Sequence, residues 1–240
     1  MTPVAIVTGG TRGLGRAIVD RLLADGWRVL AVSASGEWGG SPPGASENVA
    51  VRATEIRDGV SCAAAVADAI ERWGALDHLV NNAAIARDAP FADLTSNDWN
   101  AVIGTNLTGT FNMTKAALAA IVRSERGRIV NIGSVAATMG STHQVNYSAA
   151  KAGLAGFTRA LAREVAASGT TVNIVVPGPT MTGMGQDTSA SFSDVLIRKT
   201  PLRRLGRSEE TAHAVRFLLD DLSGFITGTT ITVDGGLSMV

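Results

Sequence analysis

The chain has a single cysteine, Cys62, in 240 residues, so no internal disulfide can form and a reducing compartment is expected. It has no net charge, with 21 basic and 21 acidic residues, which argues against a nucleic-acid surface or a strongly acidic partner. No apolar run approaches membrane-spanning length. Thr2 to Val7 lead straight into a strand-like segment rather than a signal peptide, so a cytoplasmic protein with no membrane partner is expected. Repeats, charge blocks and an obvious interdomain linker are also missing. At 45% apolar and 18% charged, the composition is that of a globular domain with a large core.

Tyrosine is equally scarce. Tyr147 is the only one, and it stands four residues before Lys151, a spacing that places phenol and ammonium on one helical face. A neighbouring cation favours phenolate, so the expected effect is a lowered tyrosine pKa, toward the range useful for proton transfer. The pair gains weight from Thr8-Gly9-Gly10-Thr11-Arg12-Gly13-Leu14-Gly15, which follows one predicted strand and precedes one predicted helix. Small residues there let the backbone approach a pyrophosphate, and the helix N-terminus offers free N–H groups. The spacing is G-x-x-x-G-x-G rather than G-x-G-x-x-G, and a plain tight turn is the alternative reading of this segment taken alone.

Apolar strand-like runs cover 4–8, 28–33, 49–53, 79–81, 128–132, 171–176 and 230–233. Helix-length segments cover 15–24, 61–73, 97–123, 147–167 and 209–219. Strand alternating with helix predicts an α/β fold: a single-domain Rossmann-type, doubly wound parallel sheet with helices on both faces. The single domain spans 1–240, with a cofactor half to about 135 and a catalytic and substrate half beyond it. Two stretches break the rhythm. Ser35 to Asn48 is rich in Gly and Pro where a crossover helix would fit. Met181 to Ser193 is a polar loop after a strand, read as a substrate lid with an ordinary exposed connection as the alternative.

Together these residues resemble the classical short-chain dehydrogenase/reductase family, over nearly the whole chain. Beside the glycine turn, Asn81-Asn82-Ala83-Ala84 resembles the family's Asn-Asn-Ala-Gly segment with alanine in the last place. Asn106, Ser134, Tyr147 and Lys151 fit its catalytic set, and Pro177-Gly178 and Val233-Asp234-Gly235-Gly236 complete the series. Within the family the chain looks closest to the 3-oxoacyl-carrier-protein reductases.

The resemblance implies hydride transfer between a nicotinamide cofactor and a carbonyl. Tyr147 would be the general acid, Lys151 would support its phenolate and hold the nicotinamide ribose, and Ser134 would bind the carbonyl oxygen. Asn106 would anchor a water leading from the lysine to solvent. Cofactor contacts are implied for Gly9, Thr11, Arg12, Gly13, Leu14, Gly15, Ser33, Glu55, Ile56, Asn82, Ala83, Ala84, Tyr147, Lys151, Pro177, Gly178, Thr180 and Thr182. His143 is expected to pack or face solvent, and no metal is expected.

Ser33 stands eighteen residues after Gly15, where an acidic residue would bind the adenosine ribose and repel a 2′-phosphate. A hydroxyl there, with Arg12 nearby, points to NADP(H). Glu37 on the following loop could reach inward and keeps NAD(H) open. The substrate class is a small molecule or an acyl thioester. Two positions where carrier-protein reductases often carry arginine hold Glu125 and Ser168, with Arg126 and Arg128 near enough to compensate. The alternatives are a stand-alone reductase of small ketones, sugars or other secondary alcohols, and a non-catalytic dinucleotide sensor. The family also implies a homotetramer built through the helices at 97–123 and 147–167.

Overall fold

A computed structural model describes residues 2–40, 47–181 and 190–239. Its elements in chain order are β1 (Val4–Thr8), α1 (Gly13–Ala24), β2 (Arg28–Ser33), β3 (Val49–Ala53), α2 (Gly59–Trp73), β4 (His78–Asn81), α3 (Ser96–Ile103), α4 (Gly109–Ile121), β5 (Arg128–Ile132), α5 (Ala136–Met139), α6 (Val145–Val165), β6 (Thr171–Pro177), α7 (Ala190–Lys199), α8 (Ser208–Leu218) and β7 (Thr230–Val233). The seven strands form one sheet in the order β3-β2-β1-β4-β5-β6-β7, and each neighbouring pair is parallel.

Alternation within β1 shows why these strands read as unbroken apolar runs. Val4 and Ile6 enter one core with Cys62, Val66, Met113, Ala117, Ile121 and Leu161, on α2, α4 and α6. Ala5 and Val7 enter the other with Ile18, Val19, Leu22, Val215 and Leu218, on α1 and α8. Both faces of the sheet are therefore removed from water, and no position on a central strand is left for a polar side chain to face solvent. Cys62 is fully buried, and its thiol is pushed up to about 11 by burial and by the charges of Asp58 and Glu55, so it is an inert packed residue.

The chain starts in the middle of the sheet, adds β2 and β3 on one side, then crosses back to place β4 on the other. The carboxyl ends of β1 and β4 thus form a topological switch point, the place where open α/β sheets bind ligands. The predicted long helix over 97–123 is interrupted. Between α3 and α4, Gly104–Thr108 form a π-helical turn, which inserts an extra residue and turns Asn106 to the interior. Between β2 and β3 no helix occurs among the described residues, as the glycine and proline content requires. The polar stretch expected as a loop over 181–193 is already helical from Ala190, while 182–189, with Thr182, lie outside the described residues.

Candidate active site

The glycine turn follows β1 at the switch point. Gly9 and Gly13 hold positive φ values of 62° and 55°, a region costly for residues with a Cβ. A Cβ built on Gly15 would collide with the Gly9 carbonyl oxygen and lie 2.5 Å from Asn82 Nδ2, whereas one built on Gly13 would meet nothing within 4 Å. The turn is therefore packed tightly from below and open above. No side chain caps the N-terminus of α1, and no acidic residue stands in its first turn. That arrangement suits a pyrophosphate accepted from backbone N–H groups.

Thr8 ties this turn to β4. Its hydroxyl accepts from the backbone N–H of Asn82 (2.9 Å) and Ala83 (3.0 Å), while Asn82 Nδ2 donates to the carbonyls of Thr8 (2.9 Å) and Gly9 (3.2 Å). The sequence carries no signal of this role for Thr8, because the partners it brings together are more than seventy positions away. Ala84, where the family has glycine, needs no special backbone, since His143 and Arg203 are the positive-φ non-glycine residues of the described chain.

At the other end of the cleft, Ser134 lies just beyond β5 and Tyr147 in the first turn of α6. The Ser134 hydroxyl is near enough to the Tyr147 phenol to oppose the rise in its pKa, and it accepts from Ala136 N–H at 3.2 Å. Lys151 lies one turn further along α6 and is 2% exposed. Its ammonium donates to the Ile132 carbonyl at 2.7 Å and stands 5.7 Å from the Tyr147 ring centroid. An ammonium has three protons to donate, and the one protein acceptor leaves donor capacity for hydroxyl groups arriving with a ligand. Asn146 fixes the start of α6: it donates to the Arg87 carbonyl at 3.0 Å and accepts from Tyr147 N–H at 2.8 Å. Its only signal in the sequence was adjacency to Tyr147.

Several expectations change here. The Tyr147 phenol is not lowered by a cation in the free protein. Burial pushes it above its ordinary value, the Ser134 hydroxyl acts against that, and the Asp88 charge adds to it. The lysine absorbs the effect of the shared burial instead, falling to about 8 through desolvation. Asn106 is fully buried, but both ends of its amide are taken by Ile85, accepting from N–H and donating to the carbonyl, each at 2.9 Å. Its side chain anchors the loop after β4 through one bond at each end of the amide. Ile56 points its side chain into the core beneath Gly109, so only its backbone is available to a cofactor. Glu55 is turned to Arg57 through bonds of 2.9 and 3.1 Å, which hold its carboxyl below the ordinary range.

Ser33 is half-buried at the end of β2, and its hydroxyl accepts from Gly36 N–H at 3.1 Å. Glu37 is exposed, and its backbone N–H is held by Ser35 Oγ at 3.2 Å. Thr11 is buried at 3% exposure, Arg12 is exposed, and Leu14 is half-buried. Pro177-Gly178 close the far side of the cleft. Gly178 N–H donates to Val233 O at 3.0 Å, and a Cβ there would lie 2.7 Å from Asp234 Cα. Burial raises the Asp234 carboxyl, yet donation from Ser238 and from Gly236 N–H holds it below its ordinary value. The terminal Asp-Gly-Gly is thus a buttress for the turn at 177–178. Thr180 pairs with Gly206 in an isolated parallel bridge. His143 is exposed in a left-handed turn whose carbonyl accepts from Ala89 N–H at 2.9 Å. Among the described residues no cluster of metal-ligating side chains occurs, and no helix is long and apolar enough to cross a membrane.

A glycine turn at the switch point and a Ser–Tyr–Lys cluster at the end of β5 and on α6 define a dinucleotide-dependent oxidoreductase. The chain belongs to the short-chain dehydrogenase/reductase family. The family model described as enoyl-(acyl carrier protein) reductase matches residues 9–238. The chain is 44% identical to an acetoacetyl-CoA reductase of Shinella zoogloeoides over 237 residues, 98% of each chain. It is 41% identical to the 3-oxoacyl-[acyl-carrier-protein] reductase FabG of Escherichia coli (strain K12) over 241 residues, 99% of this chain and 98% of that one. A crystal structure titled as a short-chain dehydrogenase/reductase, glucose/ribitol dehydrogenase, from Brucella melitensis superposes with a TM-score of 0.89 at 33% identity, covering 99% of this chain and 97% of the other.

Proposed function

We propose that this chain reduces the keto group of a 3-oxoacyl thioester with NADP(H), and that the Coenzyme A form is preferred to the carrier-protein form. The observation that carries the reading is the pair of neighbouring hydroxyls, Ser134 just beyond β5 and Tyr147 in the first turn of α6, beside the buried Lys151. Two such donors converge on one substrate oxygen. The relatives' descriptions support the thioester class, since acetoacetyl-CoA and acyl-carrier-protein substrates share that linkage.

Bound NADP(H) supplies the hydride, and the chain's residues do the rest. Gly9, Gly13 and Gly15 with the α1 N-terminus hold the pyrophosphate, and Lys151 holds the nicotinamide ribose. Ser134 donates to the carbonyl oxygen and stabilises negative charge as it develops. Tyr147 donates its phenolic proton to that oxygen. The phenol is protonated in the resting site, and the Lys151 ammonium stabilises the phenolate as it forms.

NADP(H) is favoured because no carboxylate points into the ribose position: Ser33 stands there and Glu37 faces solvent. We expect Ser33→Asp to move the ratio of kcat/KM for NADPH over NADH toward NADH by about tenfold or more, since a carboxylate beside a phosphate costs about 1–4 kcal/mol at partly solvated separations. Unchanged preference would remove Ser33 from cofactor selection.

The Coenzyme A preference rests on charge. Glu125 is exposed, and Ser168 is bonded to Val165 O at 2.7 Å and to Thr170 Oγ at 2.9 Å. Neither arginine expected to compensate is free to do so. Arg128 is 4% exposed and donates to Gly127 O at 2.8 Å, and Arg126 lies 3.8 Å from Asp221. The two positions that would carry arginine therefore offer an acidic carrier protein no positive charge. Comparing kcat/KM for acetoacetyl-CoA with that for the acetoacetyl carrier protein tests this. A strong preference for the carrier-bound form would overturn it.

Lys151 gives a pH signature. Its pKa of about 8 in the folded chain is below the unfolded value, so above pH 8 the unfolded chain keeps a proton that the folded chain has lost. Stability from this group therefore rises between about pH 8 and pH 10.5, and the burial cost is fully present below that window. We expect the stability advantage of Lys151→Met over wild type in urea unfolding to shrink by about 2–3 kcal/mol from about pH 7 to about pH 10. A pH-independent difference would show that the lysine is not titrating as assigned.

We also propose a homotetramer. Ala149, Ala152 and Gly156 leave a smooth exposed stripe on α6, and Trp99 and Phe111 are partly exposed on α3 and α4. Light scattering at micromolar concentration should report four copies, and a monomer alone would contradict this assembly.

A further inference from the structure

The segment after β2 doubles back onto the phosphate turn. Ser33 Oγ and Ser35 Oγ accept from Gly36 and Glu37 N–H, which turns the chain sharply at the end of the strand. Gly39 N–H then donates to Thr11 O at 3.0 Å, and a Cβ on Gly39 would lie 3.0 Å from Arg12 Cβ. Beside that contact, the Arg16 guanidinium lies over the Trp38 ring, 4.6 Å from its centroid. Arg16 Nε also donates to Asp20 Oδ1 at 2.7 Å, which restrains the guanidinium. Trp38 is half-buried and packs on the apolar cluster shared by α1 and the outer strands.

These contacts join the stretch after β2 to the β1–α1 turn and to the start of α1, across the groove between the end of β2 and that turn. A crossover helix would normally wall that side of the sheet, and among the described residues of this crossover it is Trp38 that packs there. We propose that Trp38 and Arg16 form a clasp over the adenosine half of the dinucleotide groove, and that Trp38 is a positioning residue for the cofactor. The inference rests on the dinucleotide reading above. The clasp holds residues 33–40 and the turn at 9–13 in one arrangement before the ligand arrives, so less ordering is left for binding to supply. The arginine–aromatic contact is effective because it is partly shielded from water.

The test is calorimetric titration of wild type, Trp38→Leu, Trp38→Phe and Arg16→Gln with NADPH and NADH, with the melting temperature of each ligand-free protein. For whichever dinucleotide wild type binds more tightly, Trp38→Leu and Arg16→Gln should raise Kd about tenfold or more, and Trp38→Phe, which keeps a ring over Arg16, should stay within about threefold. A purely structural tryptophan would instead lower the ligand-free melting temperature and leave Kd of the folded protein unchanged, and that result overturns the clasp. If Trp38→Leu does not fold, Arg16→Gln carries the comparison, and wild-type affinity in that variant overturns the proposal equally. Failure of wild type to bind either dinucleotide would overturn the functional reading itself and the clasp with it.

Discussion

Tyr147→Phe is expected to lower kcat by about a hundredfold to ten-thousandfold while leaving NADPH binding close to that of wild type. The substitution deletes one oxygen and keeps the ring, so α6 and the Lys151 contact with Ile132 O remain in place. The hydroxyl lost is the one beside Ser134, in a site where burial disfavours phenolate. Without it, a carbonyl oxygen accepting hydride would have only the Ser134 donor and no proton source of matched position. Calorimetric titration alongside steady-state kinetics separates the two quantities. A near-normal kcat would take Tyr147 out of the chemistry, and a large loss of NADPH affinity would assign it to binding instead.

Gly15→Ala is expected to abolish measurable dinucleotide binding, a loss of about a hundredfold or more, without unfolding the sheet. The added Cβ meets the Gly9 carbonyl oxygen, a backbone atom that cannot rotate away, and lies 2.5 Å from Asn82 Nδ2, a side-chain atom held by its bonds to Thr8 O and Gly9 O. Relief must come from moving the turn or α1, which misplaces the backbone N–H groups that face the pyrophosphate. Gly13→Ala provides the contrast. Its Cβ has open space within 4 Å, and its cost is confined to the backbone conformation at φ 55° and to the ligand's own approach. Far-UV circular dichroism and the melting temperature should show Gly15→Ala folded. Retained NADPH affinity would show that this turn does not hold the phosphates.

Much of this architecture is legible in the sequence, because both faces of the sheet are buried and the strands consequently appear as continuous apolar runs. The glycine turn and the Tyr147–Lys151 spacing are local patterns, and locality is why they could be read. What could not be read depends on partners far away in the chain. The amide of Asn106 is used by Ile85, twenty-one positions earlier, and the π turn that directs it there leaves no periodicity signal strong enough to interrupt a helix. Lys151 was paired with Tyr147 by helical spacing, but its ammonium points to the carbonyl of Ile132, so burial rather than mutual attraction sets both pKa values. Glu55 found Arg57, and Ile56 found the core under Gly109, because side-chain direction at a strand end is decided by neighbours in space. Thr8 and Asn146, which brace the two halves of the site, carry no motif of their own beyond adjacency to the residues they hold.

The most direct measurement is the initial rate of NADPH oxidation by the wild-type protein with acetoacetyl-CoA, with Tyr147→Phe run in parallel. The account predicts substrate-dependent NADPH consumption in wild type, formation of the 3-hydroxyacyl thioester in equal amount, and near loss of both in the variant. Tight NADPH binding with no turnover of acetoacetyl-CoA, or equal rates in the two proteins, would contradict it.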